Sequence, residues 1–470
     1  MCKGKQRQKN KPIQMDLFVR LEKPDDAERD GSPDRDDAGV ELFSRLRRQQ
    51  TLTDTLLDQV ADPVNLIQAY RQVARNGGSP GVDGMTNNEL KQWLNTNLNQ
   101  LHTSLLKGTY KAAPVKKVDI PKPGGGQRML GIPTVTDRLI QQAIHQKLCP
   151  IYEPYFSPYS FGFRPGRNAG QAISQASHYV REGNVWVVDI DLEKFFDKIN
   201  HDRLMHRLSK AIADKRLLRL INAYLKTGMM QQGLCEQRTA GTPQGGPLSP
   251  LLSNIVLDEL DRELHKRGLR FCRYADDCNI FVGSRKAAQR VLRSLINFIE
   301  TKLKLKVNRS KSGVRRSDEV TFLGYTVLSD GGIRVADRSM KRLKDKVREI
   351  TKRNRGVPFS QLLDELNTVI RGWSNYFRLA NRWLSNLRDI DGWIRRKLRC
   401  YRLKQCGRIY TTYKLLRGLG VGESKSWNVV MYSQGWWSMS RKMAVAQSMN
   451  PRWFARQGLH SVYLRMNPKT

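Results

Sequence analysis

The tightest constraint in this sequence is a pair of adjacent acids, Asp276 and Asp277, placed where two apolar runs must reverse: Phe271-Cys272-Arg273-Tyr274 before them and Asn279-Ile280-Phe281-Val282 after. Runs of this length around a short break read as a β-hairpin. Two carboxylates at its tip repel each other and lose solvation, a cost that a fold rarely carries unless a cation relieves it. An isolated Asp-Asp pair facing solvent on a turn is the commoner case, so the hairpin alone does not decide between the two.

A second acidic strand shifts the balance. Val185-Trp186-Val187-Val188 runs into Asp189-Ile190-Asp191 and then Leu192-Glu193-Lys194-Phe195-Phe196-Asp197. Strand alternation puts Asp189 and Asp191 on one face, from which one or both can approach the hairpin acids. Three carboxylates around two Mg²⁺ ions roughly 3.5 to 4 Å apart suit activation of a 3′-hydroxyl and stabilisation of a leaving pyrophosphate. Mg²⁺ favours such hard oxygen ligands.

Charge names the partner class. The chain carries 82 Lys and Arg against 44 Asp and Glu, a formal net charge of +38, so a polyanion such as nucleic acid is expected. The positive charge is spread along the chain, and no uncharged run approaches the roughly 18 residues of a membrane span, so no membrane partner is expected. The basic, polar stretch Met1 to Pro12 lacks the apolar core of a signal peptide, which points to the cytoplasm. The cysteines are scattered with no CxxC pair and read as reduced thiols.

Residues 1–50 are polar, with an acidic stretch from Asp25 to Asp37 between basic flanks, and are expected to be disordered. A helical pattern starting at Leu52 breaks at the turn-rich Asn76 to Gly84. Val115 to Ile120 and the segment after Gly124-Gly125-Gly126 read as two strands joined by a glycine-rich turn. Beyond Asp330 the chain turns to basic helical segments, including Arg338 to Arg353 and Asp389 to Leu403. Most of the tryptophans there are expected to pack helices, and some to stack on bases.

Ile120 to Arg128 (IPKPGGGQR), Ser160 to Arg167 (SFGFRPGR), the acidic strand, Gly241 to Pro250 (GTPQGGPLSP), Tyr274 to Asp277 (YADD), Leu305 to Asn308 with Lys311-Ser312, and Phe322 to Tyr325 (FLGY) follow the turn-rich loop in this order. The series resembles the reverse-transcriptase family, and more narrowly the group II intron-encoded reverse transcriptases and maturases. The resemblance implies an α+β fold, a right-hand polymerase with fingers and palm over 51–330 and an α-helical thumb and maturase (X) region over 331–420. A basic C-terminal segment, 421–470, would contact target DNA.

It further implies site roles. Asp191, Asp276 and Asp277 would be the catalytic ligands of two Mg²⁺ ions, with Asp189 and Asp197 structural or supporting. Lys122 and Arg128 would grip the triphosphate of an incoming deoxynucleotide, Phe196 would exclude a 2′-hydroxyl, Gln244 would lie beside the nucleotide, and Lys311 would add a phosphate contact. Phe195, pointing away from Phe196, would be core. Arg164 and Arg167 would either touch template or close a structural turn; Arg395, Arg396 and Lys397 would contact nucleic acid. The histidine and cysteine set of an endonuclease domain is missing after Trp436, so second-strand cleavage is not expected.

The implied function is RNA-directed DNA synthesis on a primer annealed to group II intron RNA, for retrohoming, together with assistance to intron splicing in a bacterial cytoplasm. Two rivals share the core: a domesticated reverse transcriptase in defence or spacer acquisition, and a splicing factor that no longer polymerises. The residues do not disclose the oligomeric state.

Overall fold

The computed structural model describes residues 54–121, 127–231, 234–236, 240–242 and 245–467. The extension 1–50, Lys122 and Gln244 lie outside the described residues, as does the side chain of Arg128. Ten strands run through the described residues: β1 (Val115–Pro121), β2 (Gln127–Ile132), β3 (Trp186–Ile190), β4 (Met229–Gln231), β5 (Leu234–Glu236), β6 (Arg270–Tyr274), β7 (Asp277–Val282), β8 (Gly313–Arg316), β9 (Tyr325–Val327) and β10 (Ile333–Val335). The chain packs as two compact units, 1–156 with 194–257 and 157–193 with 258–470.

In the first unit, β1 and β2 pair antiparallel from Lys116↔Ile132 to Pro121↔Gln127, and β1 also runs parallel to β4. Four helices accompany this sheet: Leu56–Ala61, Pro63–Asn76, Glu89–Leu106 and Val135–Tyr152. The second begins where Asp62 accepts the Val64 and Asn65 backbone N–H groups and Pro63 takes the first helical position, and Gly77 ends it at φ 63°. Arg138, on the fourth, donates to the Gly77 and Ser79 carbonyls and so ties down the turn-rich loop.

In the second unit, a four-stranded sheet in the order β6-β7-β3-β8 lies with helix Ala169–Arg181 against β6 and helix Arg285–Thr301 against β3. One hydrophobic core runs from this sheet into the basic helices: Ala176, Val187 and Phe281 share it with Leu343, Leu366 and Leu398, and with Phe454 and Val462 near the C-terminus. The segments expected to be helical become Asp337–Ile350 and Ser385–Gln405. Residues 421–467 pack onto these helices. Asp391 accepts hydrogen bonds from the Ser461 hydroxyl and from the Val462 and Tyr463 N–H groups, which seats the last helix, Val462–Met466. No helix among the described residues is long and apolar enough to cross a membrane.

Candidate active site

The sheet register brings the acids together. β3 and β7 pair antiparallel as far as Ile190 opposite Cys278, and Asp191 and Asp277 are the next residue of each chain beyond that last pair. In the β6–β7 hairpin Tyr274 pairs with Asp277, leaving Ala275 and Asp276 as a two-residue turn. Ala275 stands at φ 59°, in the left-handed region normally taken by glycine at the first position of a type II′ turn.

The surroundings hold this strained turn in place. The buried guanidinium of Arg273 donates to the Ala275 carbonyl at 2.9 Å and makes a bidentate pair with Asp261 at 2.7 and 2.6 Å; neither side chain reaches solvent. The Phe161 N–H donates to the Arg273 carbonyl, and the Arg273 N–H to that of Tyr159. Between these contacts Gly162 lies so close beneath the turn that a Cβ there would overlap the Ala275 nitrogen. The segment SFGF is therefore backing for the acidic turn.

Like charges accumulate at the tip. Asp277 keeps one side open to solvent, yet the enclosing protein surface, followed by the charges of Asp276, Asp189 and Asp191, pushes its carboxyl up to about 7, against the pull of Lys311. Burial also raises Asp189, which Arg315 partly offsets through an ion pair at 3.2 Å. Lys311 Nζ sits 3.5 Å from Asp191 Oδ2, and the same loop grips the Asp191 backbone: its N–H donates to Ser312 Oγ and its carbonyl accepts from the Asn308 N–H.

Phe196 belongs to the first unit. Lys194, at φ 49°, turns the chain into the short helix Phe195–Lys198. Phe195 is buried, whereas Phe196 is half-buried with its ring edge-on to that of Phe195 at 5.3 Å. The Phe196 carbonyl accepts from the Thr242 N–H at 2.7 Å, and the Gly241 N–H donates to the Ile199 carbonyl. Gly241 has φ 88°, and a Cβ on it would press on Asp197 Cα. The start of the GTPQGG segment is thus bonded to the segment that carries Phe196.

The cations divide by environment. Arg164 is buried and donates to the Ser157 and Ser160 carbonyls, the turn-closing arrangement. Arg167 is exposed, over the Phe161 ring at 5.9 Å, and lines a cavity of about 530 Å³ with Asn168, Gln171 and Arg378. Arg395, Arg396 and Lys397 are half-buried on helix Ser385–Gln405. The Arg396 guanidinium lies 3.8 Å from the Trp437 ring centre, and Lys397 Nζ 5.0 Å from it. Burial lowers the pKa of Lys397, and Arg348, Arg353 and Arg396 add to the shift by repulsion. The Asp391 carboxylate on the same helix acts on Arg395, while Arg396 and Lys397 lie against the Trp437 ring.

Residues 120–327 match the family model described as reverse transcriptase (RNA-dependent DNA polymerase), and residues 340–417 match the group II intron, maturase-specific domain. Protein YkfC of Escherichia coli (strain K12) is 33% identical over 314 residues, which cover 58% of this chain and 82% of that protein. The group II intron-encoded protein LtrA of Lactococcus lactis subsp. cremoris is 28% identical over 69% of this chain and 65% of its own length. The putative COX1/OXI3 intron 2 protein of Saccharomyces cerevisiae is 30% identical over 60% of this chain but only 40% of its own. The chain belongs to the group II intron-encoded reverse transcriptases.

In this reverse transcriptase the donors at the acidic tip are carboxylate oxygens under mutual repulsion, which fits Mg²⁺. No group of three or more His, Cys, Asp or Glu side chains among the described residues converges as a ready-made cage. The motif reading includes Gly162 and Arg273 but gives no role to either, nor to Asp261. An arginine inside an otherwise apolar strand, with acids spaced along the preceding helix, was the available signal for Arg273 and Asp261.

Proposed function

We propose that this reverse transcriptase copies group II intron RNA into DNA for retrohoming, and assists splicing of the same intron, in a bacterial cytoplasm. The observation that carries the reading is the pairing, in one chain, of a like-charged acidic tip formed by Asp191, Asp276 and Asp277 with the cation cluster Arg395, Arg396 and Lys397 on the maturase-specific segment. Fingers and palm would span 51–330, thumb and maturase region 331–420, and a DNA-contacting segment 421–470.

Asp191, Asp276 and Asp277 would hold two Mg²⁺ ions, with Lys311 keeping Asp191 in place until an incoming phosphate competes for its ammonium. When bound, Mg²⁺ neutralises charge at the attacking 3′-hydroxyl and at the leaving pyrophosphate. Lys122 and Arg128 would bind the triphosphate electrostatically, and Gln244 would hydrogen-bond at the nucleotide. Phe196, half-buried and hydrogen-bonded through its carbonyl, would present a fixed ring edge where a 2′-hydroxyl would otherwise fit. Phe196→Val should therefore admit ribonucleotides in primer extension, while Phe195→Val, a change in the core, should lower the melting temperature without altering sugar choice. Unchanged preference for deoxynucleotides in the Phe196 variant would remove it as the gate.

The RNA-binding half is tested by replacing Arg395, Arg396 and Lys397 together with glutamine. Binding of the intron RNA, recovered by co-purification and sequenced, should weaken, and the salt slope should flatten by close to one unit for each lost phosphate contact. Assisted splicing should fall with it. Extension of a short pre-annealed primer at low salt should fall much less, because the acidic tip is untouched. An unchanged affinity and slope would exclude this helix from the RNA-binding surface.

A further inference from the structure

Three aromatic rings form a ladder where the maturase-specific segment meets the segment proposed above to contact DNA. Tyr410 and Tyr413, three apart on helix Ile409–Gly418, stack with centroids 6.1 Å apart and planes 16° from parallel. Tyr413 stacks in turn on Trp427 of helix Glu423–Met431, at 4.4 Å and 24°. Leu416 and Val430 anchor the two helices in the core, so the rings are held at fixed spacing.

The ladder is open to solvent where packing would close it. Tyr410 is 58% exposed and Trp427 37%. Met431, one turn beyond Trp427 on the same helix face, is 61% exposed, and Tyr432 beside it 78%. Contiguous apolar surface of this kind marks an interaction site. Its surroundings select the partner: the two helices that carry the rings hold Lys414, Arg417 and Lys425 against one acid, Glu423. Lys414 Nζ lies 4.8 Å from the Tyr410 ring centre, on the rim of the ladder. Flat parallel rings bordered by cations are suited to nucleobases joined by phosphates, whereas an apolar protein partner would gain nothing from the charge.

We infer that Tyr410, Tyr413 and Trp427 form a stacking platform for unpaired bases of single-stranded RNA, with Lys414 meeting the backbone. RNA rather than DNA is the expected occupant because folded RNA presents splayed, unpaired bases in its loops, while duplex DNA keeps its bases stacked inside. The inference deepens the RNA-binding reading and rests on it, but it assigns base contact to a surface separate from the Arg395 cluster.

The test measures binding of the full-length protein to a fluorescent unstructured oligoribonucleotide of roughly 12 nucleotides, within the span such platforms engage. Tyr410→Ala should weaken binding about tenfold, the loss expected for one base–aromatic stack, and Trp427→Ala at least as much. Tyr410→Phe and Trp427→Phe should restore it. The salt slope should stay unchanged in all four, because stacking releases no counterions; the Arg395, Arg396, Lys397 variant should instead flatten the slope. Unchanged binding in Tyr410→Ala, whose exposed side chain can be removed without disturbing the core, would overturn the platform even if the cation cluster binds as proposed. A flattened slope in the ring variants, or a loss seen equally with RNA duplex, would also overturn it. A loss confined to the matching DNA oligonucleotide would overturn the assignment to RNA. If the cation variant leaves binding unchanged while the ring variants lose it, the platform stands and the Arg395 reading fails.

Discussion

Asp277→Asn is expected to abolish primer extension on an RNA template with Mg²⁺, lowering the rate by roughly a thousandfold or more, because a neutral amide removes several kcal/mol of charge stabilisation at the reacting phosphate. Asp276→Asn should do the same. The same substitution should make the metal-free protein more stable above neutral pH. The Asp277 carboxyl is raised to about 7 in the folded state, from about 4 in an unfolded chain. Between these values the folded state holds the proton more tightly, so the stability that protonation contributes is full below pH 4 and is lost as pH rises through 7. Above that point the native protein carries the full repulsion of Asp276, Asp189 and Asp191, and the asparagine variant does not. Thermal melts without metal, from pH 4 to pH 8, should show the variant gaining on the parent across this window, and added Mg²⁺ should stabilise the parent more than the variant. Near-normal extension by a variant carrying both Asp276→Asn and Asp277→Asn would sink the assignment of these acids.

Asp261→Ala should be the most damaging substitution outside the acidic tip. It leaves the fully buried Arg273 guanidinium without its counter-charge, a loss of about 3 to 5 kcal/mol. Arg273 also holds the Ala275 carbonyl, so the turn bearing Asp276 and Asp277 should lose its anchor even where the fold survives. The two effects separate in the double variant Asp261→Leu with Arg273→Met. Replacing a buried ion pair by apolar side chains is often close to neutral for stability, so the melting temperature should recover while extension does not. Full activity in that double variant would show that the arginine has no part in positioning the turn, and an unchanged melting temperature for Asp261→Ala would contradict the burial argument.

Much of the site was legible before any fold was known. The acidic hairpin, the second acidic strand and the basic helices all follow from local pattern: alternation for strands, a longer period for helices, and carboxylates where solvation is poor. Phe195 is buried, as the family resemblance implied, but in a short helix rather than a strand. What held the hairpin tip was not legible. Ala275 takes a backbone conformation that its side chain disfavours, and nothing in the residue itself announces this; the conformation persists because Arg273 and the segment around Gly162 over-determine it. Arg164 presented two readings of equal weight in the sequence, and its burial against the Ser157 and Ser160 carbonyls favours turn closure.

The sequence by itself determined the chemistry of this protein: oxygen donors at a hairpin tip, cations for a polyanion, and the ordered motifs of its family, all carried by residue type and short-range spacing. Only the tertiary structure decided how distant segments share that work. The chain passes between its two compact units at 156–157, 193–194 and 257–258, so the acidic strand and Phe196, neighbours in sequence, belong to different units. Asp391 seats a helix 70 residues away, and Tyr413 meets Trp427 across two helices to build a ladder that neither contains alone. The physical reason is common to all three. Secondary structure answers to each residue's own preferences and those of its near neighbours, whereas packing answers to burial and hydrogen-bond satisfaction, which depend on whatever surface the rest of the chain brings up against them.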